Sequence, residues 1–268
     1  MAHRVDPVDR FSVEERSVLV TGATGALGRA AAGALAAAGA RLTMAGGNQP
    51  ALAALARELS EVGTDPAAMT TVPLRPESEA DAEAMVRAAV AAHGRLDGVL
   101  VASGTNKVAP ITEMPLADFE SVLDANVRGS WLVCKAAGRQ MLAQGDGGSV
   151  VLVSSTRGRL GHPAGYSAYC PSKAAVDLLA KTLAAEWGKA GIRVNALAPT
   201  VFRSELTAWM YGEDEKARAT RTAMLSRIPL GRLAEPEDFS GALIYLLSNA
   251  SAFLTGQVLY LDGGYTAC

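Results

Sequence analysis

Short apolar runs alternate with longer helix-periodic stretches along almost the whole chain. Most of the runs are rich in Val, Leu and Ala, as is typical of parallel strands that are buried on both faces. The predicted strands cover residues 17–21, 41–45, 69–73, 97–102, 149–154, 192–197 and 257–261. The predicted helices cover residues 26–38, 50–61, 79–93, 115–143, 167–189 and 236–248. This alternation predicts an α/β fold with a seven-stranded parallel sheet and helices on both faces.

Turn and capping residues stand where this periodicity changes. Gly39 follows the first predicted helix, and Pro50 suits the first turn of the second. Ser78 and Asp81 form a capping-box pattern at the start of the third helix, and Gly94 follows its end. These signals support the element boundaries independently of the apolar pattern.

No change of composition, charge block or Ser/Pro-rich linker divides the chain, so we expect one domain over residues 1–268. Residues 1–15 are expected to form an N-terminal tail. Residues 201–233 interrupt the alternation after the sixth strand and are rich in charge, with Trp209 and Tyr211 among them. A long insertion at the carboxyl end of a strand is where a substrate lid belongs.

Charge and hydropathy exclude two classes of partner. The chain has 25 basic and 27 acidic side chains and a net charge of -2, so it lacks the broad positive field of a nucleic-acid-binding protein. The first residues are too highly charged to form a signal sequence. The longest uncharged run of small residues, 30–40, is shorter than the roughly 20 residues that a membrane span needs.

The cysteines and histidines bear on the compartment and on metal binding. Cys134, Cys170 and Cys268 form no CxxC pair and suit a reducing compartment, so we expect a cytoplasmic protein. The three histidines are far apart in sequence and have no acidic cluster beside them, so no metal site is predicted.

A glycine-rich loop lies between the first predicted strand and the first predicted helix. Gly22, Gly25 and Gly28 permit a tight turn and a close approach of the backbone to a diphosphate. The N-terminus of the following helix then faces the negative charge. A glycine triplet alone is a weak signal, and the alternative is a turn that only packs. Its position at the first strand-to-helix turn favours a dinucleotide.

Tyr169 and Lys173 are spaced i and i+4 at the start of a predicted helix, which puts a phenol and an ammonium on one face. A phenol that exchanges protons near neutral pH needs its pKa lowered by roughly 3 units, or about 4 kcal/mol. One positive charge at about 4 Å, at an effective dielectric constant near 20, supplies about that much. Lys173 is thus a sufficient cause for such a shift, whereas the alternative is an ordinary surface pair.

These motifs and several others occur in the order seen in the short-chain dehydrogenase/reductase family, which the chain resembles from about residue 12 to its end. The motifs are at residues 21–28, 124–126, 154–155, 169–173, 193–199 and 255–264. The resemblance implies a Rossmann-type doubly wound sheet and a nicotinamide dinucleotide cofactor. It also implies a homotetramer built on the helices predicted at 167–189 and 236–248 and on the last strand.

The resemblance implies roles for the matched residues. Tyr169 resembles the catalytic acid/base, and Ser155 the serine that binds the reacting oxygen, with Ser154 as the alternative. Lys173 resembles the residue that binds the ribose and lowers the pKa of the tyrosine, and Asn126 the residue that anchors a water beside that lysine. The expected cofactor contacts are Gly22, Thr24, Gly25, Leu27, Gly28, Gly47, Asn48, Arg75, Ser103, Gly104, Tyr169, Lys173, Pro199, Val201 and Ser204.

The chain departs from the family pattern at the residues that distinguish NAD from NADP. An acidic side chain at the end of the second strand normally grips the 2′-hydroxyl of NAD, and none stands at residues 44–48. Gly47 replaces the arginine of the similar NADP-type pattern, while Arg75 offers a cation from the neighbouring strand end. We therefore expect NADP in preference to NAD, although either remains open.

The expected activity is the NAD(P)-dependent interconversion of a secondary alcohol and a ketone. The region 206–227 is similar to the lid of gluconate 5-dehydrogenase-like members, which implies a small-molecule substrate such as a sugar acid or polyol. A 3-oxoacyl-carrier-protein reductase is the alternative within the class. A nucleotide-binding sensor without turnover is the alternative outside it, because the cofactor pocket is altered.

Overall fold

A parallel sheet of seven strands forms the centre of the protein, which we describe from a computed structural model over residues 7–268. The strands follow one another in the order β3-β2-β1-β4-β5-β6-β7, all in parallel register. Their bounds are β1 Ser17–Thr21, β2 Arg41–Ala45, β3 Met69–Val72, β4 Gly98–Val101, β5 Gly148–Val153, β6 Ile192–Pro199 and β7 Val258–Leu261. The predicted Rossmann-type, doubly wound α/β fold is confirmed.

Helices cover both faces of this sheet. Their bounds are α1 Ala26–Ala37, α2 Gln49–Glu61, α3 Glu79–His93, α4 Leu116–Leu123, α5 Gly129–Gln144, α6 Tyr169–Trp187, α7 Glu215–Leu225 and α8 Ser240–Leu247. One apolar core joins the sheet to α1, α2 and α8, and a second joins the opposite face to α3, α5 and α6. Successive side chains of β1 are buried in opposite cores. Val18 and Val20 lie in one core, and Leu19 lies in the other. Burial on both faces explains why the strands are continuously apolar.

The helix predicted over 115–143 is wrong as one element. It is interrupted at Asp124–Arg128 by a π-helical turn that separates α4 from α5. The helix predicted over 236–248 likewise begins with a 3₁₀ turn at Pro236–Phe239 before α8. The capping box of Ser78 and Asp81 at the start of α3 is present as predicted.

Residues 1–6 of the predicted N-terminal tail lie outside the described part of the chain. Residues 7–15 of that tail contact the rest of the domain. Val13 is fully buried in the core that holds α1 and α8. Arg10 donates a hydrogen bond to the carbonyl of Asn249, at the far end of the sequence. This segment is therefore packed against the carboxyl end of α8 and the turn that follows it.

The interruption predicted at 201–233 contains a 3₁₀ helix at Glu205–Tyr211 and α7. Its Ile228 and Leu233 form a third apolar cluster with Tyr265, against which Tyr211 and Leu160 also pack. The segment thus lies over the loop that follows β5. Across residues 7–268, no helix combines the length and the hydropathy that a bilayer crossing requires.

Candidate active site

The sheet reverses its direction of winding at β1, which lies between β2 and β4. In open parallel sheets, ligands bind in the crevice at the carboxyl ends of the strands beside such a reversal. The glycine loop leaves β1 at this point, and the chain leaving β4 passes close to it. A Cβ atom at Gly22 would lie 2.8 Å from the backbone of Ala102 and Ser103. The two strand ends therefore meet through a contact that only glycine permits.

The glycine loop closes against the start of α1. Gly22 has a φ of 66°, and its carbonyl accepts a hydrogen bond from the Gly25 amide at 3.0 Å. A Cβ at Gly28 would lie 2.1 Å from the Gly22 carbonyl oxygen, so this turn of the helix also requires glycine. The free amides at the start of α1 face the crevice, as an anion site requires.

A cavity of about 680 Å³ opens over this loop. It is lined by eight of the predicted cofactor contacts, which are Gly22, Thr24, Gly25, Gly47, Asn48, Arg75, Ser103 and Gly104. Three cationic side chains also line it among the described residues. Lys107 pairs with Asp118 and Arg128 with Asp124, whereas Arg75 makes no ion pair with the described part of the chain.

Arg75 lies directly over Gly47. A Cβ at Gly47 would lie 2.4 Å from Arg75 Nε, so the arginine fills the space that a side chain at position 47 would take. Asn48 is partly committed, because its side-chain oxygen accepts the Ala51 amide at 3.0 Å and caps α2. The charged side chain that lies against Gly47 is therefore Arg75, which comes from the loop after β3; Glu77 of the same loop also lines the cavity.

The other predicted cofactor contacts lie outside this cavity. The Leu27 side chain is buried in the apolar core, so only its backbone faces the loop. Pro199 ends β6, and Val201 accepts a hydrogen bond from the Ala234 amide. The Ser204 hydroxyl caps the 3₁₀ helix through the Thr207 amide at 3.3 Å, which leaves it turned toward its own backbone.

Tyr169, Ser155 and Lys173 come together at the carboxyl ends of β4 and β5. Lys173 Nζ donates to the Val153 carbonyl at 2.9 Å and lies 5.6 Å from the centroid of the Tyr169 ring. Ser155 lies beside the Tyr169 phenol, whose pKa it lowers against the larger effect of burial, and its hydroxyl donates to the Pro199 carbonyl at 3.5 Å. Ser154 instead donates to the Lys173 carbonyl, so of the two serines Ser155 is the one that reaches the phenol.

Burial governs both ionisable groups of this trio. It raises the pKa of Tyr169 to about 12, although Ser155 and the charge of Arg157 oppose the shift. Burial also lowers the pKa of Lys173 to about 8, against the attraction of Asp177. Burial is the largest cause of the shift at Tyr169, and the Lys173 ammonium lies 5.6 Å from the ring centroid, so the lowering of the pKa of Tyr169 by Lys173 stays a prediction.

Asn126 lies in the π-helical turn and is fully buried. Its side-chain oxygen accepts the Thr105 amide at 2.8 Å, and its Nδ2 donates to the Thr105 carbonyl and the Ser172 hydroxyl, both at 2.9 Å. A Cβ at Gly104 would lie 2.9 Å from that side-chain oxygen and 3.6 Å from Lys173 Nζ. Asn126 thus ties the chain after β4 to α6, the helix that carries Tyr169 and Lys173.

Sequence reasoning missed Thr105 and Ser172 as the partners of Asn126. Ser172 stands inside the tyrosine–lysine motif, so its position was a usable signal, whereas the Thr105 contact uses backbone atoms and leaves no mark on the sequence. Arg157 and Arg227 were also missed. They lie in different segments but both stack on the ring of Tyr265, near Tyr169.

The residues present fit a nicotinamide dinucleotide. A Cβ atom at Gly22, Gly28 or Gly104 would clash with neighbouring atoms. Because glycine has none, the backbone of this cradle is free to approach a ligand. Amide donors at the start of α1 suit a diphosphate, and Arg75 suits a further anionic group near Gly47. Lys173 and Tyr169 end the crevice at the side where a reacting ring would lie.

Comparison with known proteins supports this interpretation. A family model described as Enoyl-(Acyl carrier protein) reductase matches residues 22–266. An uncharacterised oxidoreductase of Mycobacterium tuberculosis is 71% identical over 259 residues, which are 97% of this chain and 94% of that protein. The D-threitol dehydrogenase of Mycolicibacterium smegmatis is 36% identical over 258 residues, covering 96% of this chain and 95% of the relative.

Solved structures agree with the sequence relatives. A short-chain type dehydrogenase/reductase from Mycobacterium marinum superimposes with a TM-score of 0.90 at 32% identity, covering 98% of this chain and all of that one. A gluconate 5-dehydrogenase from Burkholderia cenocepacia, in complex with NADP and tartrate, gives a TM-score of 0.89 at 30% identity, again over 98% of this chain and 100% of the other.

Proposed function

The chain belongs to the short-chain dehydrogenase/reductase family of oxidoreductases acting on alcohol groups, and we propose that it interconverts a secondary alcohol and a ketone on a polyhydroxylated small molecule. The observation that carries the proposal is the meeting of Tyr169, Ser155 and Lys173 beside the glycine cradle. A cofactor site alone would suit many proteins, whereas a phenol with a serine and a lysine next to it suits proton exchange at an alcohol oxygen.

In the proposed reaction the chain's own side chains handle the oxygen and its proton. The nicotinamide, when bound, supplies or accepts the hydride. The Ser155 hydroxyl donates a hydrogen bond to the ketone oxygen and holds it beside the Tyr169 phenol. Tyr169 donates its proton to that oxygen in reduction and takes it back in alcohol oxidation. Because burial raises the pKa of Tyr169 to about 12, the phenol is in the protonated form that reduction requires.

Lys173 positions these groups through its charge and its donors. Its ammonium is anchored on the Val153 carbonyl, which leaves further N–H donors for ribose hydroxyls. Asn126 anchors a water beside it in the proposed arrangement. The support is that the bonds of Asn126 to Thr105 and Ser172 hold this residue beside α6, the helix that carries Lys173.

We propose NADP as the preferred cofactor, with NAD as the alternative. No carboxylate ends β2 to repel a 2′-phosphate, and Arg75 covers Gly47 at the position where that phosphate would lie. A guanidinium with no ion pair is a strong donor for a phosphate group. The relatives allow either choice, since the name of the L-rhamnose 1-dehydrogenase of Sphingomonas sp. includes NAD(P)⁺.

For the substrate we propose a sugar, polyol or sugar acid, held under residues 201–233 as a lid. The support is that segment's packing on Tyr265 and Leu160, next to the loop that leads to Tyr169. Named relatives act on D-threitol and L-rhamnose. No observation on the described residues favours the 3-oxoacyl-carrier-protein reductase alternative. The assembled catalytic trio disfavours the sensor without turnover.

We also propose that the protein is located in the cytoplasm and that it forms a homotetramer. Cys134, Cys170 and Cys268 are all free thiols, which is the form a reducing compartment maintains. The tetramer is proposed from the family resemblance, which puts α6 in the interface between subunits. Leu178, which is 63% exposed on α6, is a side chain that a second copy would then cover.

A substrate screen tests the proposed function. Purified protein is mixed with NADP⁺ or NAD⁺ and with matched sugars, alditols and aldonates, and a 3-oxoacyl thioester is assayed with the reduced cofactors; the nicotinamide absorbance reports turnover. We expect turnover with at least one polyhydroxylated substrate and none with the thioester. Turnover of the thioester alone would favour the reductase alternative, and cofactor binding without any turnover would favour the sensor.

A further inference from the structure

Two arginines from different segments stack on one buried ring. Arg157 follows β5, and Arg227 follows α7. Their guanidinium carbons lie 5.5 and 4.2 Å from the ring centroid of Tyr265, which is fully buried. Arg157 also donates to the Tyr265 hydroxyl and to the Gly161 carbonyl, both at 3.2 Å. These contacts therefore fix Arg157 in place and bring Arg227 to the same ring.

No carboxylate neutralises this pair within residues 7–268. None of the ion pairs there includes Arg157 or Arg227. Asp262, near Tyr265 in sequence, accepts hydrogen bonds from Gly264 and Thr266 instead. Arg157 uses two of the five N–H donors of a guanidinium, so the others remain for a ligand. Two like charges held close without a counter-charge form a site that an anion would stabilise.

The pair lies next to the reacting groups. The Arg157 amide donates to the Ser155 hydroxyl oxygen at 3.2 Å, and the charge of Arg157 acts on Tyr169. Burial, and after it the charges of both arginines, lowers the pKa of His162, whose ring lies 4.4 Å from that of Tyr166. Tyr166 in turn meets Tyr169 edge to face at 6.0 Å. A substrate oxygen held between Ser155 and Tyr169 thus lies next to Arg157, and the Tyr265 ring and His162 link Arg227 to the same region.

We propose that Arg157 and Arg227 form a subsite for a carboxylate of the substrate, so that this enzyme acts on hydroxy acids in preference to neutral polyols. The inference rests on the proposed dehydrogenase function and chooses among the substrate classes left open there. A planar guanidinium matches a planar carboxylate through two parallel hydrogen bonds. Arg227 belongs to the segment 201–233, so an acid bound to it would also hold the lid over the substrate.

A four-carbon series isolates the effect of the carboxylate. Threitol, threonate and tartrate share a carbon chain and carry none, one and two carboxylates. Each is titrated by calorimetry into the protein saturated with NADP⁺, at fixed ionic strength, and inorganic phosphate is titrated as the anion without a carbon chain. We expect threonate and tartrate to bind at least tenfold more tightly than threitol, and more tightly than phosphate.

Variants assign that preference to the two arginines. Arg157→Gln and Arg227→Gln should each lose about tenfold in affinity for threonate while the affinity for threitol stays unchanged. Arg157→Lys keeps the charge and should recover part of the loss, which separates a lost cation from a misfolded loop. Arg159→Gln is the matched control, because this exposed arginine of the same loop stacks on Tyr260 at 5.7 Å and not on Tyr265. It should leave the preference intact.

Threitol binding as tightly as threonate would overturn the subsite, as would an unchanged preference in both glutamine variants. Phosphate binding as tightly as threonate, with the same loss in the variants, would overturn the choice of a carboxylate. Because the titration needs no turnover, the two proposals fail separately. Threonate bound through Arg157, with no turnover of any sugar, alditol or aldonate, contradicts the dehydrogenase, whereas threitol oxidised as efficiently as threonate contradicts the subsite alone.

Discussion

Lys173 is buried and Tyr169 is half-buried, and burial moves their pKa values in opposite directions. The phenol titrates at about 12, so it stays protonated at neutral pH. The ammonium titrates at about 8, so it is lost as the pH rises through that value. A lysine is positively charged only below its pKa. The charge beside the phenol is therefore present below about pH 8 and is lost above it.

Ketone reduction should therefore slow above about pH 8. We expect kcat/KM to be level between about pH 6 and 7.5 and then to fall with one titrating group, Lys173. In Lys173→Arg the guanidinium stays charged, so the rate should be lower overall but the fall near pH 8 should vanish. A fall near pH 8 that persists in Lys173→Arg would assign it to another group.

Arg75 is the residue that we propose selects NADP over NAD. Arg75→Gln should weaken NADPH binding by about 10- to 100-fold and leave NADH binding unchanged, because a hydrogen bond to a charged group is worth about 1.5–3 kcal/mol. Fluorescence titration of both reduced cofactors measures the two affinities. Arg57→Gln, on α2 and outside the cavity, is the control and should change neither. Equal losses for NADPH and NADH would exclude a 2′-phosphate contact.

Sequence reasoning at the residue scale identified Tyr169, Ser155 and Lys173 but not their ionisation. Their spacing is local and visible in the sequence, whereas the burial that sets their pKa values depends on the whole packed site. Arg157 and Arg227 were missed for the same reason. They are far apart in the sequence, and only the position of Tyr265 brings them together.

At the scale of elements, the glycine loop and α1 depend on contacts that no other residue permits. Gly28→Ala would place a methyl carbon 2.1 Å from the Gly22 carbonyl, so the loop would have to open. We expect a lower melting temperature and at least a tenfold loss of cofactor affinity. Gly33→Ala on the same helix meets nothing within 4 Å and should raise stability by up to about 1 kcal/mol with cofactor binding unchanged. Thermal melts and cofactor titrations check both; a Gly28→Ala protein that behaves like Gly33→Ala would contradict the loop's role.

The elements were largely predictable, because burial on both faces imposes continuous apolar strands and alternation imposes the parallel order. The break at Asp124–Arg128 was not. Its sequence continues the helical pattern of α4, and the π-helical turn coincides with the bonds of Asn126 to Thr105 and Ser172. A tertiary contact of this kind overrides local periodicity and leaves no trace in it.

At the scale of the whole molecule, the proposed tetramer predicts a measurable mass. Multi-angle light scattering at micromolar concentration should give four chains, and Leu178→Glu on α6 should reduce that mass by burying a charge in the interface. Val62→Glu, at the end of α2 and also highly exposed, is the control and should leave the mass unchanged. A monomer for the unsubstituted protein would contradict the assembly.

The central claim is that Tyr169 exchanges the proton of the reacting oxygen while the crevice beside it holds the cofactor. The measurement that tests it most directly is single-turnover reduction by NADPH of the ketone form of the best substrate, with unsubstituted protein and with Tyr169→Phe. The account predicts a rate at least 10²-fold lower in the variant, at an unchanged affinity for NADPH, because only the phenol hydroxyl is lost. An equal rate in the two proteins would contradict the claim.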